Sequence, residues 1–244
     1  MSFKVVTLNI EGNRHLPELK AFLQREQPDI ICLQEVFEVH VEELAEAVGM
    51  QPFYTPMSNV TTSSIHADPF GYWGLLQLVS PDCEIRKQKA EYYVGNRDNI
   101  PIFFENENPN SINRAVLWST IRKEDEELTV ATTHFTWSPK GATTEEQLRD
   151  FAALQKVTDS LPAHVLCGDF NAPRGRQIFS TLSQTYTDNI PAEVTTTLDQ
   201  NLHKAGKLEY VVDGYFTSPG ITTRNVRVVD SVSDHCAIVG DIYV

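Results

Sequence analysis

The chain has 244 residues, 41% hydrophobic and 22% charged, which is the balance of a folded globular protein and not that of a disordered, fibrous or membrane-spanning one. Its 33 acidic residues against 20 Lys and Arg leave a net charge of −13, which disfavours avid, sequence-blind binding to long duplex nucleic acid, because that binding depends on cations neutralising phosphates. The cysteines, Cys32, Cys83, Cys167 and Cys236, are scattered and form no CxxC pair, so they read as buried thiols and not as a zinc site or a disulfide framework.

The sequence enters a β-rich run at residues 5–10 without a charged leader, and no later stretch has the length of a transmembrane segment, so a soluble, cytoplasmic protein is expected. Leu16, Leu19 and Leu23 then fall on one helical face over residues 16–27, before Pro28 stops the helix. Residues 30–33 are a short apolar run followed by Gln34 and Glu35, as expected of a buried strand with polar groups at its carboxyl end. A second helix spans residues 41–48 and is closed by Gly49. From residue 54 to 121 the pattern changes to apolar stretches, 74–79 and 115–121, separated by Pro, Asn, Asp and Ser clusters, which reads as strands with long connections.

Residues 128–133 form another strand. Thr144-Glu145-Glu146-Gln147 is a capping box opening a helix with Leu148, Phe151, Leu154 and Leu161 inward. Val165-Leu166-Cys167 leads into Gly168-Asp169-Phe170-Asn171, and residues 210–216 and 237–244 complete the strands. No repeat, low-complexity tract or linker divides the chain, so one domain over residues 1–244 is expected, with sheets covered by helices.

Polar groups recur where apolar runs end: Asn9, Glu35, His134, Asp169 with Asn171, and Asp234 with His235. A hard cation such as Mg²⁺ needs oxygen ligands and one or two carboxylates, so Glu35 with Asp169 suffices as an anchor. A cation so held polarises a phosphoryl oxygen and orients an in-line attack, and histidine suits proton transfer beside it. Each residue also has a plain structural use. Gly168-Asp169 can be a turn, Asn171 and Ser233-Asp234 caps, and His134 and His235 hydrogen-bonded structural histidines.

The order of the motifs favours the chemical reading. Leu8-Asn9-Ile10-Glu11-Gly12, Leu33-Gln34-Glu35-Val36, Thr133-His134-Phe135, Gly168-Asp169-Phe170-Asn171-Ala172, Val212-Asp213-Gly214-Tyr215-Phe216 and Ser233-Asp234-His235 together resemble the endonuclease/exonuclease/phosphatase superfamily, the DNase I-like proteins that include abasic-site endonucleases and tyrosyl-DNA phosphodiesterases. The resemblance implies a four-layer αββα sandwich of two mixed β-sheets flanked by helices, and a Mg²⁺-dependent phosphoesterase, with Mn²⁺ as a substitute, that cleaves a phosphodiester by attack of water. It also implies roles. Glu35 is the principal metal ligand, with Asn9, Glu11 and Asp234 on the metal side. Asp169 activates the water, Asn171 holds the phosphate or nucleophile, His235 contacts the scissile phosphate with Asp213 orienting it, and His134 bonds a phosphate oxygen.

Substrate-side candidates are Arg114, Trp137, Tyr72, Thr197 and Asp199, with Arg174 and Arg176 as further grips for nucleic acid; Arg114 has a surface reading as well. The pattern departs from relatives that carry an Arg two residues before the Asp that orients the last histidine, where this chain has Val211 preceded by Glu209 and Tyr210. An acidic residue there suits a substrate other than long nucleic acid. The expected substrate is a phosphate ester, either a short or damaged nucleic acid or a small molecule or lipid head group, and a monomer is expected. A non-catalytic binding module on the same fold is the competing class.

Overall fold

The computed structural model describes residues 2–61, 71–104 and 108–244. In chain order the elements are β1 Phe3–Asn9, α1 Leu16–Glu26, β2 Ile30–Phe37, α2 Val41–Val48, β3 Gln51–Val60, β4 Gly71–Val79, β5 Glu84–Val94, β6 Arg114–Lys123, β7 Glu126–His134, α3 Glu145–Thr158, β8 His164–Asp169, α4 Gln177–Thr185, β9 Thr187–Asp188, β10 Asp213–Thr217, β11 Thr222–Val229 and β12 Ala237–Tyr243. The strands form two six-stranded sheets, ordered β11-β12-β1-β2-β4-β3 and β5-β6-β7-β8-β10-β9. This is the expected αββα sandwich.

Each sheet is mixed for a chain-connectivity reason. β1 and β2 are parallel because α1 provides the crossover, and β7 and β8 are parallel because α3 does; the remaining pairs are antiparallel. Strand alternation then assigns the faces. Phe3 and Val5 of β1 join the core between the sheets, with Cys32, Val130, Val165 and Ile238, while Val6 and Leu8 point outward against Leu19, Phe22 and Leu44 of α1 and α2. Central strands covered on both faces carry near-continuous apolar sequence, which is why β1, β2 and β8 stand out in the chain. All four cysteines are buried and free. Among the described residues no helix is long and apolar enough to cross a membrane.

Polar side chains lock the two sheets in register. Gln34 Nε2 on β2 donates to Thr132 Oγ1 on β7 at 2.9 Å, Gln77 Nε2 on β4 donates to the Val130 carbonyl at 3.0 Å, and the Tyr215 hydroxyl on β10 donates to the Val5 carbonyl at 3.2 Å. Buried polar groups with partners on the facing sheet penalise sliding, since a slip breaks those bonds in a place water does not reach.

Some elements differ from expectation. The strands β3, β5 and β11 and the helix α4 carry no clear pattern in sequence. The strand expected from residue 210 begins at Asp213, and residues 210–212 instead run beside the 170–174 loop, the Val211 and Val212 carbonyls accepting from Arg174 and Phe170. The α3 cap forms, Thr144 Oγ1 accepting from the Gln147 amide at 3.1 Å, but the inward face is rotated: Leu148 is exposed, and Gln147 and Asp150 are buried with Phe151 and Leu154. Leu161 lies beyond the helix end and packs on the core.

Candidate active site

The register brings the polar strand ends to one end of the sandwich. Asn9 pairs with Gln34 across β1 and β2, and His134 with Asp169 across β7 and β8, so all four lie at the carboxyl ends of the parallel strands. The antiparallel neighbours begin where these strands end. Asp213, the first residue of β10, pairs with Asp169, and His235 lies just before β12, whose Ile238 pairs with Thr7 of β1.

The local backbone turns these side chains outward. Glu35 sits in a β-bulge, where the β2–β4 register shifts between Leu33 and Val36, with φ of 63°. Glu11 and Asn171 are also left-handed, with φ of 49° and 48°. For non-glycine residues this conformation costs about 1–3 kcal/mol and concentrates at functional sites. Gly168 is required beside Asp169: its φ is 126°, and a Cβ there would meet the Thr133 carbonyl oxygen at 2.1 Å.

The groups converge on one atom, Asp169 Oδ2. Asn9 Nδ2 reaches it at 3.2 Å and Asn171 Nδ2 at 3.3 Å, while His134 Nε2 lies 3.5 Å and His235 Nε2 3.8 Å away. The other oxygen, Oδ1, accepts the Asn171 amide at 2.8 Å, which fixes the carboxylate plane. Asn9 Nδ2 also donates to Glu35 Oε1 at 2.9 Å, and His134 Nε2 lies 3.9 Å from that same oxygen. His235 Nδ1 faces both Asp213 oxygens, at 3.1 and 2.9 Å. Glu11 lies between Arg14 at 3.5 Å and His15 at 3.2 Å.

Electrostatics separates the two histidines. Burial pushes His134 down to about 3 against the pull of Asp169, so it is neutral at working pH. Burial acts the same way on His235, but Asp213, Asp169 and Asp234 outweigh it and hold the imidazole well above its ordinary value. Burial, reinforced by the charge of Asp234, pushes Glu35 up to about 8, and the same two causes raise Glu11. A buried carboxyl surrounded by like charge is the environment that a cation relieves.

The site opens into a cleft of about 650 Å³, a volume suited to a small ligand. Glu11, Glu35, His134, Asp169, Asn171, Asp234 and His235 line it, together with Arg114 and Trp137. Asn9 and Asp213 hold the lining groups from behind.

Arg114 is not the surface residue of the alternative reading. It is 2% exposed, donating from NH1 to the His134 carbonyl at 3.0 Å and from NH2 to Asn110 Oδ1 at 3.1 Å. Tyr72 is exposed and lies outside the cleft lining; its neighbour Trp73 lines the cleft instead, edge-on to His134 with ring centroids 5.7 Å apart.

Thr197 and Asp199 do not reach the cleft either. Both are buried. The Thr197 hydroxyl accepts the Val212 and Asp213 amides at 3.1 Å, and the Asp199 carboxylate accepts the Asn201, Leu202 and Ser231 amides at 2.7–2.9 Å. They brace the loops that carry Asp213 and Asp234, and only Leu198 between them faces the cleft. Arg174 is likewise spent, paired with Asp188 at 2.8 Å, while Arg176 lies over the Tyr210 ring.

Sequence reading also missed groups that shape the site. Gln147 Nε2 donates to the Thr136 carbonyl at 2.7 Å and the Asn171 carbonyl at 3.3 Å. His203 lines the cleft beside His235, with ring centroids 6.4 Å apart. His203 lies in no recognisable motif, whereas Gln147, the polar residue that closes the capping box, is a usable signal.

The model of the Endonuclease/Exonuclease/phosphatase family matches residues 6–235. No curated protein matches the chain. Similar solved structures include the mannosyl-6-phosphatase of Bacteroides thetaiotaomicron VPI-5482, 14% identical with a TM-score of 0.73 over 100% of both chains. The human nocturnin catalytic domain with bound sulfate anion is 16% identical, with a TM-score of 0.69 over 99% of this chain and 94% of that one. D. rerio TDP2 complexed with single-strand DNA product is 15% identical, with a TM-score of 0.67 over 100% and 99%. At these identities the likeness is one of fold. Together with the family match over nearly its whole length, the assembled motifs and the sandwich that presents them place this chain in the endonuclease/exonuclease/phosphatase family.

Proposed function

We propose that the protein is a divalent-cation-dependent phosphoesterase that hydrolyses a phosphate ester of a compact molecule by in-line attack of water. The observation that carries this reading is the convergence of Asn9, Asn171, His134 and His235 on Asp169 Oδ2, within 3.8 Å, beside the raised carboxyl of Glu35.

The donor set fits Mg²⁺, with Mn²⁺ as a substitute: Glu35 would anchor the cation, with Asn9, Glu11 and Asp234 on its side, all oxygen donors as a hard ion requires. When bound, the cation supplies Lewis-acid polarisation of the phosphoryl oxygen and neutralises developing charge. Asp169, Asp213 and His235 also place donor atoms within 4.8 Å of one another. That trio is better suited to proton and anion handling, because an imidazole held protonated by two carboxylates has no lone pair to offer a metal.

Asp169 Oδ2 accepts the proton of the attacking water, and the Asn9 and Asn171 amides fix its direction. His235, kept cationic by Asp213, donates from Nε2 to an anionic phosphate oxygen, a preorganised charge aimed where negative charge grows. His134, neutral, donates one hydrogen bond without adding charge. The acidic balance of the chain, the loss of Arg174 to a structural ion pair and the modest cleft favour a compact ester over long nucleic acid.

The test is hydrolysis of a panel of aryl, sugar, inositol, lipid-head-group and nucleotide esters, with Mg²⁺ or EDTA, by the wild type and Asp169→Asn. Turnover should require the cation and fall by about 10²–10⁴ in the variant, the usual share of general-base catalysis. Turnover that survives EDTA or Asp169→Asn overturns the reading.

A further inference from the structure

Resting on the phosphoesterase reading, we propose that the ester this site takes carries a planar, uncharged ring close to its phosphate, seated on Trp137, with the Ser138 hydroxyl as its polar contact. The cleft is mixed in chemistry. Besides the catalytic groups, its lining includes the apolar and aromatic side chains Trp73, Phe103, Ile112, Trp137, Leu208 and Tyr210. Apart from His235 at the scissile phosphate, the cationic side chains lining it among the described residues are Lys140, Lys204 and Arg114. Arg114 spends its guanidinium on the His134 carbonyl and Asn110, leaving two lysines for any anion beyond the scissile phosphate. A lining of this kind suits an apolar or aromatic substituent and not a polyphosphorylated or polyhydroxylated one.

Two features single out Trp137. Trp137 is 43% exposed, yet its backbone is pinned on both sides by one residue. Asn110 Oδ1 accepts the Trp137 amide at 3.2 Å, and Asn110 Nδ2 donates to the Trp137 carbonyl at 3.0 Å. Asn110 is itself tied to Arg114 at 3.1 Å and to Glu146 at 2.9 Å. An aromatic face presented to solvent on a rigid mount is a stacking platform whose ordering cost is already met. Ser138 lines the same cleft and is 2% exposed, and its hydroxyl has no hydrogen-bond partner among the described residues. Buried hydroxyls are normally paired, so an unpaired one beside an exposed indole points to a ligand group that completes it.

The test is equilibrium binding, by calorimetry in Mg²⁺ buffer, of inorganic phosphate, ethylphosphonate and 4-nitrophenylphosphonate, none of which can be turned over. The wild type should bind the aryl ligand at least about tenfold more tightly than the ethyl one, as expected for one stacked ring. Trp137→Ala should abolish that preference, and Trp137→Phe should keep most of it; the exposure of the side chain makes both variants foldable, which a melting curve checks. Ser138→Ala should weaken the aryl ligand by about two- to tenfold, the range of one hydrogen bond, and leave ethylphosphonate unchanged. Equal aryl and ethyl affinity in the wild type, or a preference that survives Trp137→Ala, overturns the ring proposal, and an unaffected Ser138→Ala overturns the polar contact. Turnover of 4-nitrophenyl phosphate esters is scored separately, so ring preference without cation-dependent turnover removes the phosphoesterase reading and leaves the ring site standing.

Discussion

Glu35 shows how a single side chain can weaken a fold in order to serve a site. Burial and the neighbouring charge of Asp234 push its carboxyl from 4.5 up to about 8, so without a cation the folded state resists ionisation that the unfolded chain accepts freely. The folded value is raised. Stability from this group is therefore full below pH 4.5 and lost as pH rises through 8. Glu35→Gln keeps the shape and removes the charge, so in EDTA at pH 8.5 the variant should melt above the wild type, by about 2–4 °C for each kcal/mol recovered. Added Mg²⁺ should raise the wild-type melting temperature and leave Glu35→Gln unmoved. A variant that still responds to Mg²⁺ would show that the cation binds elsewhere. At this scale the residues that cluster in the candidate site are legible because short motifs at strand ends name them. Trp73, Asn110 and Arg114's buried role were not, since their work depends on which strand edge adjoins His134 and no local pattern encodes that.

Among elements, legibility followed position in the sheet. The strands without a clear sequence pattern, β3, β5 and β11, are all edge strands of their sheets, and none is buried along its whole length. β3 carries Pro52 and Pro56, which an edge accommodates because a missing amide need not pair, and β5 is rich in Lys, Arg and Glu, which guards an exposed edge. Such sequences lose the apolar run that marks β1, β2 and β8. The cap marks α3, but its inward face is rotated because Gln147 donates to the Thr136 and Asn171 carbonyls and Asp150 accepts from the Thr136 hydroxyl, which holds both inside in place of Leu148. Gln147→Leu should thus behave unlike an ordinary apolar substitution in a helix. It leaves the Thr136 and Asn171 carbonyls without their donor, which should cost about 1–3 kcal/mol in denaturant unfolding and lower turnover by loosening Asn171. The paired control, Leu148→Gln on the exposed face, should change stability by no more than about 0.5 kcal/mol. Equal effects from the two substitutions would mean that Gln147 does not brace the loop.

Across the whole molecule, the sandwich keeps its chemistry at one end and ordinary structural burial at the other, and β8 spans both, from His164 to Asp169. His164 is 3% exposed, with Nδ1 donating to the Pro162 carbonyl at 2.8 Å and the ring edge-on to Tyr186. Its Nε2 is buried without a partner, so protonation there would strand a charged donor. Burial accordingly lowers its value below 6.5. Above pH 6.5 this histidine is neutral in both states and the folded state bears no penalty, whereas below it the unfolded chain takes up a proton that the fold refuses. Stability should fall with a slope of up to about 1.4 kcal/mol per pH unit from this residue. Urea unfolding of the wild type and His164→Gln at pH 7.5 and 5.5 reads this out, the variant being less stable at the higher pH yet losing less on acidification. An unchanged difference between the two pH values would mean that His164 already titrates normally in the fold. Activity measured on the same samples should show no matching change in pH profile, because His164 and the cleft occupy opposite ends of a strand whose middle is sealed in the core.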